Sequence, residues 1–435
     1  MDHLIVTSLI AEVLLLSWVD QKLFGTWYTP FNLLAYPYMV VVVSAFLLAP
    51  WLGFVSVYTP SVLIWIVGLF FFWLVGFTLG LICDFRSKGY RTTLANKPAY
   101  GDDSTVKMAT RVAWAIIPIL AFNFYRALAA AGGWIAIGSM DFKMAYTFGI
   151  SSHAVVLAFP LVVLLIGTYR RGRRLQLVTI GILLVFLFAS QVKGTLLAPI
   201  IAAMLFRAAR GDLRLSIKKL SAAVGLSYAM FNAVYILGFS FADSDILTDS
   251  QTYGFLARHY MYYMWAGVLA LSEAIRTGVG VVGGPWYEIF SPFINLYRVM
   301  LGAGPLVAAL SPRELGMDVD LTVEGYQGVN VYTMLGTLYL YLGPFGSIIF
   351  MLGIAAIFYG LLVVCKSNDN PWFLTLYCAT VSWLVLSFFD YFFWSLNFIE
   401  VPVYTIILAA LSQRYKGSVK RTNSVSISAP IFGKP

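Results

Sequence analysis

Charge is scarce in this chain: Asp, Glu, Lys and Arg make up only 11% of 435 residues, against 60% apolar and 16% aromatic. A water-soluble domain needs far more polar surface than that, so this class is excluded. Cysteine is scarce as well. Cys83, Cys365 and Cys378 are scattered at or within apolar runs and none lies in the longest polar stretch, which argues against a disulfide framework or a thiolate metal site. No His/Asp/Glu group has metal-ligand spacing. A glycine-rich phosphate loop is missing too, so a nucleotide-using enzyme is not expected. Nor is there a secretory leader: the first apolar run opens on Asp2 and His3 rather than on basic residues and offers no small-residue cleavage site, so it reads as a retained span.

Long apolar runs dominate what remains. Runs that match, or nearly match, a hydrocarbon core of roughly 30 Å lie near residues 4–19, 31–50, 60–83, 112–131, 150–168, 175–192, 195–209, 220–242, 335–365, 372–389 and 396–413. They lack the alternation of barrel strands, and lipid forces each backbone to satisfy its own hydrogen bonds. The expected fold is all-α: a polytopic membrane protein of about eleven spans, with boundaries good to about four residues. Its parts are a first bundle of about eight helices over 1–242, an outer loop over 243–332, the last helices over 333–413, and a basic cytoplasmic tail over 414–435 that is expected to be disordered. The chain shows no internal repeat and no matched pair of Gly/Pro-interrupted helices, which lowers a transporter reading.

Short loops rich in Lys and Arg stay in the cytoplasm. With the first terminus outside, all but seven of the 29 basic residues fall on the inner side; the exceptions are Arg126, Lys143, Lys193, Arg258, Arg276, Arg298 and Arg313. The net charge of +9 is thus mostly a topology signal, and no basic domain for nucleic acid is present.

The break from Asp243 to Tyr332 is the main departure from this pattern. It opens with Asp243, Asp245 and Asp249, passes through Tyr253 to Tyr263 and an apolar stretch Met264 to Leu271, and reaches a Gly- and aromatic-rich run over 278–297. Met264 to Leu271 is too short to cross and is expected to lie on the membrane face or dip into it. The aromatics suit either an interfacial belt or stacking platforms for sugar rings.

The loop ends in Gly328-Val329-Asn330-Val331-Tyr332-Thr333, followed by Tyr339-Leu340-Tyr341-Leu342-Gly343-Pro344-Phe345-Gly346. This stretch resembles the Wzy-type oligosaccharide repeat-unit polymerases, the O-antigen and capsule polymerase family. In that family an Asn-Val-Tyr-Thr-like segment ends the large outer loop, followed by a Tyr, an Asp-Phe-Gly-like turn and another Gly; here Tyr341 stands where the Asp would. A weaker likeness is Gln191-Val192-Lys193-Gly194-Thr195, where the family has a Ser-Arg-Gly-like turn and Lys193 replaces the Arg. The span count, late outer loop and basic inner face also fit. Without the resemblance, Asn330 and Thr333 read equally well as helix caps.

The resemblance implies a multi-pass enzyme of the bacterial cytoplasmic (inner) membrane. Such an enzyme moves glycan from an undecaprenyl diphosphate carrier onto a second carrier-linked repeat unit, without metal or cofactor. The implied partners are the undecaprenyl diphosphate-linked oligosaccharide, the lipid bilayer, and a chain-length regulator and flippase of the same pathway, with no nucleic acid. The diphosphate leaving group needs cations, for which forked guanidinium groups are well suited: Arg258, Arg298 and Lys193, then Arg276 and Arg313, with snorkelling to lipid phosphates as the alternative use. The acceptor hydroxyl needs a base. His259 is one candidate, and Glu324, six residues before Asn330, is another. Glu273, Glu288, Asp318 and Asp320 are rivals, and Asp390 and Glu400 are further choices because a carboxylate near the bilayer is costly unless paired. His3 and His153 read as structural. The assigned set is therefore His259, Glu324 and Asn330 for catalysis, and Lys193, Arg258, Arg298, Tyr332 and Thr333 for substrate. An O-antigen ligase is the nearest alternative, and a lipid-linked oligosaccharide flippase is the alternative from another class.

Overall fold

The computed structural model describes residues 2–86, 103–147, 149–190, 193–213, 216–240, 250–278, 286–304, 319–321, 328–329, 331–368 and 370–427. Among them the chain is all-α. Its helices are α1 (Asp2–Phe24), α2 (Pro30–Leu48), α3 (Pro60–Arg86), α4 (Asp103–Ala131), α5 (Met140–Thr147), α6 (His153–Thr168), α7 (Arg174–Ala189), α8 (Lys193–Ala209), α9 (Ile217–Ser240), α10 (Ser250–Thr277), α11 (Ser291–Met300), α12 (Met334–Ser367), α13 (Pro371–Val385) and α14 (Asn397–Ile427). A two-residue antiparallel ladder joins Val319–Asp320 to Gly328–Val329.

Among the described residues six helices are long and apolar enough to cross a membrane: α1, α2, α3, α4, the helix over 150–168 that contains α6, and α12. Arg174–Ala189, Leu196–Ala209 and Pro371–Val385 are shorter apolar helices. Together they mark a multi-pass membrane protein. Every apolar run read from the sequence falls on a helix, and local chemistry sets several starts. Thr29 caps α2 ahead of Pro30, and Asn370 caps α13 ahead of Pro371; proline at a first turn gives up a donor that would be unsatisfied there anyway.

Side-chain and backbone contacts sort the helix ends into two groups. At one end Thr59 donates to Asp2 at 2.6 Å, Val55 N–H to the Leu321 carbonyl at 2.9 Å, and Met334 N–H to the Ser387 carbonyl at 2.9 Å. At the other end Lys366 meets the Phe24 carbonyl, Arg210 donates to the Gly167 carbonyl at 3.1 Å, and Arg173 pairs with Asp103. The basic residues cluster at this second end, as the charge reading expects of a cytoplasmic face. Between the two ends, α13 is buried over almost its whole length and touches α2, α6, α8, α12 and α14.

Three elements differ from expectation. Met264 to Leu271 is the middle of a 28-residue helix, α10, rather than a short surface segment. Trp265, Ala266 and Val268 through Ala274 are buried against protein. The tail expected to be disordered from residue 414 continues as helix to Ile427. No proline lies between Pro402 and Ile427, and extending an existing helix costs far less than nucleating one. Finally, α12 is broken at Gly343, where φ is 67° and ψ is −177°. A side chain cannot easily take that geometry, and Pro344 supplies no N–H to bridge the break.

Candidate functional site

The turn after α13, residues 386–392, is the hub on which the outer elements converge. α12 begins against it, because Met334 N–H is held by Ser387. α10 crosses it so closely that a Cβ on Gly267 would fall 2.3 Å from the Phe389 carbonyl oxygen. Tyr263 of α10 stacks on Phe389 with centroids 5.7 Å apart. The start of α8 lies on the far side, where a Cβ on Gly194 would be 3.3 Å from the Phe392 ring.

Two carboxylates are buried in this hub. Asp390 accepts the Tyr391 N–H at 2.8 Å. Glu288, in a short 3-10 turn at Trp286–Phe290, accepts the Tyr341 hydroxyl at 3.0 Å, and the Tyr391 hydroxyl ties the same turn down through the Ile289 carbonyl at 3.3 Å. Their relative exposures are 2% for Asp390 and 7% for Glu288, so both act in a low-dielectric setting where charges and dipoles interact strongly. Burial pushes the Tyr391 phenol above its ordinary range. Tyr341 immediately precedes the Leu342-Gly343 break, so the Glu288 carboxylate is fixed where α12 is interrupted.

Each residue of the assigned set has a definite setting except Glu324 and Asn330. Arg258 lies on α10 with its guanidinium 5.6 Å above the Phe54 ring, and its side chain is exposed at this end. Gly53 makes room for it: its φ is 76°, and a Cβ there would be 3.1 Å from the guanidinium. Beside it, His259 stacks between Phe255 and Tyr262 at 5.2 and 5.6 Å, edge-on to Tyr263. Tyr263 links this aromatic group to Phe389 and the hub. Lys193 is the first residue of α8. Arg298 lies on α11, which follows directly on the Trp286–Phe290 turn, and donates to the Gly304 carbonyl at 3.2 Å. That short helix exposes Phe293, Leu296, Tyr297, Val299 and Met300, a face suited to the membrane interface.

Thr333 is fully buried and forms the cap of α12: its Oγ1 accepts Gly336 N–H at 3.1 Å and Trp65 Nε1–H at 2.9 Å. Tyr332 is buried next to it. Both expected substrate residues thus face the protein interior and position α12. Glu324 and Asn330 lie outside the described residues, as do Asp318, Arg313 and the acidic trio Asp243, Asp245 and Asp249.

Two further candidate acids are paired. Glu273 makes two bonds to Arg276, at 2.8 and 2.5 Å, and holds the guanidinium above its ordinary range. Glu400 meets His153 Nδ1 at 2.6 Å, so the histidine set aside as structural has an acidic partner. Sequence reasoning ranked Glu288 among several rivals; its one local signal is a single acid inside the aromatic run Trp286-Tyr287-Glu288-Ile289-Phe290. Among the described residues no group of three or more His, Cys, Asp or Glu could hold a metal ion.

A family model described as a family of unknown function, DUF6337, matches residues 53–418, and the chain belongs to that family. Comparison with curated proteins and with solved structures finds no match.

Proposed function

We propose that this DUF6337 member is a membrane glycosyltransferase of about eleven spans that polymerises undecaprenyl diphosphate-linked oligosaccharide repeat units at the outer face of the cytoplasmic membrane. The observation that carries the reading is Glu288 on the Tyr341 hydroxyl. The polymerases that the chain resembles have a carboxylate at the place of Tyr341, and here a carboxylate from another part of the chain reaches the same side of the α12 break. In this scheme Glu288 takes the acceptor hydroxyl proton as its oxygen attacks the anomeric carbon. The bond from that carbon to the carrier diphosphate breaks, and Arg258 and Lys193 offset the charge on the leaving group. His259 is the competing base; Glu324 and Asn330 remain candidates. Arg298 belongs to a helix suited to the headgroup plane, where it would meet carrier or lipid phosphate.

The test is incubation of the purified protein in lipid nanodiscs with lipid-linked repeat units and a chelator, followed by gel analysis. The reading expects a ladder of products that Glu288→Gln and Arg258→Ala abolish. Transfer of a single finished glycan to a lipid acceptor, with no ladder, would favour the ligase. The broken α12 favours one further reading, a flippase, since interrupted helices frame transport sites. Deleting the gene separates the two: loss of a polymerase leaves single repeat units on the finished surface lipid, and loss of a flippase leaves none.

A further inference from the structure

The outer ends of α6 and α14 share an ion pair that the chemistry above leaves unused. His153 Nδ1 lies 2.6 Å from Glu400 Oε1, and 43% of the histidine side chain is exposed against 15% of the glutamate. α6 is about 24 Å long at 1.5 Å per residue, and its far end meets the basic, cytoplasmic face where Arg210 bonds the Gly167 carbonyl. His153 therefore stands at the outer edge of a hydrocarbon core of roughly 30 Å, within reach of outer water. A helix start disfavours a cation and favours an acid. An imidazolium at the first residue of α6 thus depends on Glu400, which sits in the first turn of α14.

The two sides of the pair differ in stiffness. On the α6 side, Ser151 Oγ donates to Asn123 Oδ1 at 2.6 Å, and the fully buried Asn123 donates to the Tyr146 carbonyl at 3.0 Å, which fixes the turn that carries His153. On the α14 side, Pro402 lies inside the helix. It has no N–H for the Phe398 carbonyl, and its ring crowds that carbonyl. The turn from Asn397 to Glu400 is therefore joined to the rest of α14 with one bond fewer, which is where helices bend.

Both sides also lead to the 386–392 hub. Phe398, two residues before Glu400, packs 4.4 Å from Phe393. Phe393 lies 5.4 Å from Tyr391, whose hydroxyl holds the Ile289 carbonyl next to Glu288. From α6, Phe159 lies 6.0 Å from Trp383, and Trp383 lies 5.3 Å from Phe392. A change in the distance between His153 and Glu400 thus acts on the hub from two directions.

The surrounding charges leave this pair to itself. α4 brings Arg126, which bonds Asn123 Oδ1 at 2.9 Å and the Ala145 carbonyl at 2.6 Å, and the exposed Tyr125. α5 brings Asp141, Lys143 and Tyr146, whose hydroxyl donates to the Phe186 carbonyl at 2.8 Å. Lys193 begins α8, and α7 and α13 end at this face without a titratable residue. In the hub Asp390 accepts the Tyr391 N–H. Tyr404 lies one turn beyond Glu400 on α14. Among the described residues the charged group that acts on the Glu400 carboxylate is the His153 imidazole.

We propose that His153 and Glu400 form a proton-operated latch by which the pH outside the membrane sets the packing of the 386–392 hub. With the imidazole protonated, cation and carboxylate hold the first turn of α14 against α6 and the latch is shut. As pH rises through the range of about 5–8 in which histidine ordinarily loses its charge, the attraction between opposite charges disappears and one neutral hydrogen bond remains. The turn then swings about Pro402, and Phe398 loosens its hold on Phe393 and the hub. The latch is independent of the glycosyl-transfer reading.

Fluorine NMR of the full-length protein in nanodiscs, labelled with 5-fluorotryptophan, tests the latch, because Trp383 sits between Phe159 and Phe392. Its signal is assigned by its loss in Trp383→Phe. As pH is stepped from about 5 to about 8, the wild-type signal is expected to move from one position to another. His153→Gln and Glu400→Gln, which keep side chains able to hydrogen-bond, hold it at the high-pH position throughout. His153→Lys, a cation over the whole range, holds it at the low-pH position, a result that a misfolded variant does not give. His3 and His259 are present in all of these variants, so their own titration does not distinguish them. A wild-type signal that stays put, a signal that still moves in either Gln variant, or one that follows wild type in His153→Lys would each overturn the latch and leave a static ion pair.

Discussion

Gly267→Ala is the sharpest test of the hub, because one methyl group meets two backbone carbonyls. The added Cβ would lie 2.3 Å from the Phe389 oxygen and 2.8 Å from the Phe388 oxygen. Heavy atoms prefer about 3.5 Å, so one side has to retreat by about 1 Å. Neither side is loose. α10 is anchored by Trp265 to Ser44 at 3.0 Å and by Ser272 to Ser61 at 2.9 Å, and the turn is anchored by the 2.9 Å Met334–Ser387 bond. Overpacking of this kind costs about 1–3 kcal/mol, and contact between two backbones belongs at the upper end. Replacing a helical glycine with alanine returns about 1 kcal/mol, which leaves a net loss of about 2 kcal/mol. Gly360→Ala in α12 is the control, since a Cβ there meets nothing within 4 Å and only the propensity gain of up to about 1 kcal/mol remains. Thermal unfolding in nanodiscs, followed by tryptophan fluorescence, should place Gly267→Ala below wild type and Gly360→Ala at or above it. A shift of about 1 Å in the hub should also cut ladder formation by as much as about 100-fold. Should Gly267→Ala melt together with the control, α10 does not cross the 386–392 turn and the site built on that crossing fails.

Three further outcomes are expected. Thr333→Val removes the α12 cap, worth about 0.5–2 kcal/mol, and leaves the Trp65 indole N–H unbonded at about 1–3 kcal/mol more; unchanged denaturant stability would refute the cap. Gly343→Ala forces a side chain into a backbone region reserved for glycine and should destabilise by about 1–3 kcal/mol, whereas wild-type stability would mean that α12 is continuous. Glu288→Gln keeps the size of the side chain and an acceptor for Tyr341, so it should lower kcat of chain extension by about 10²–10⁴-fold with little change in KM. Full activity in that variant would move the base to His259 or Glu324.

The six long apolar helices were legible because a lipid-facing helix must be apolar over its whole length, and that leaves a run any window detects. α10 was not, since its surroundings are protein: Ser272 bonds Ser61 and Glu273 is paired to Arg276, so the helix tolerates polar residues that shrink its apolar run to Met264–Leu271. The end of α14 was misread for a related reason. Lys, Arg, Ser and Thr after Gln413 look like loop on composition, yet outside the bilayer a helix carries them at little cost.

The site divides along the same line. Arg258, His259 and Lys193 could be picked out locally, as cations or a titratable ring in the outer break or at an outer turn. Thr333 was equally readable as a cap, and a cap it is. The meeting of Glu288 with Tyr341 was invisible, because 53 residues of chain separate them and only the folding of the 286–290 turn onto the α12 break joins them. A motif search looks for a carboxylate at one position, whereas the chemistry needs only a carboxylate at one place. The absence of an acid at Tyr341 is therefore no argument against acid–base chemistry in this chain. It turns the question into one that the paired variants Glu288→Gln and Tyr341→Phe can answer. If Tyr341 only positions the acid, its loss should leave a weaker enzyme whose pH profile is displaced, while loss of Glu288 should leave no pH-dependent limb to displace.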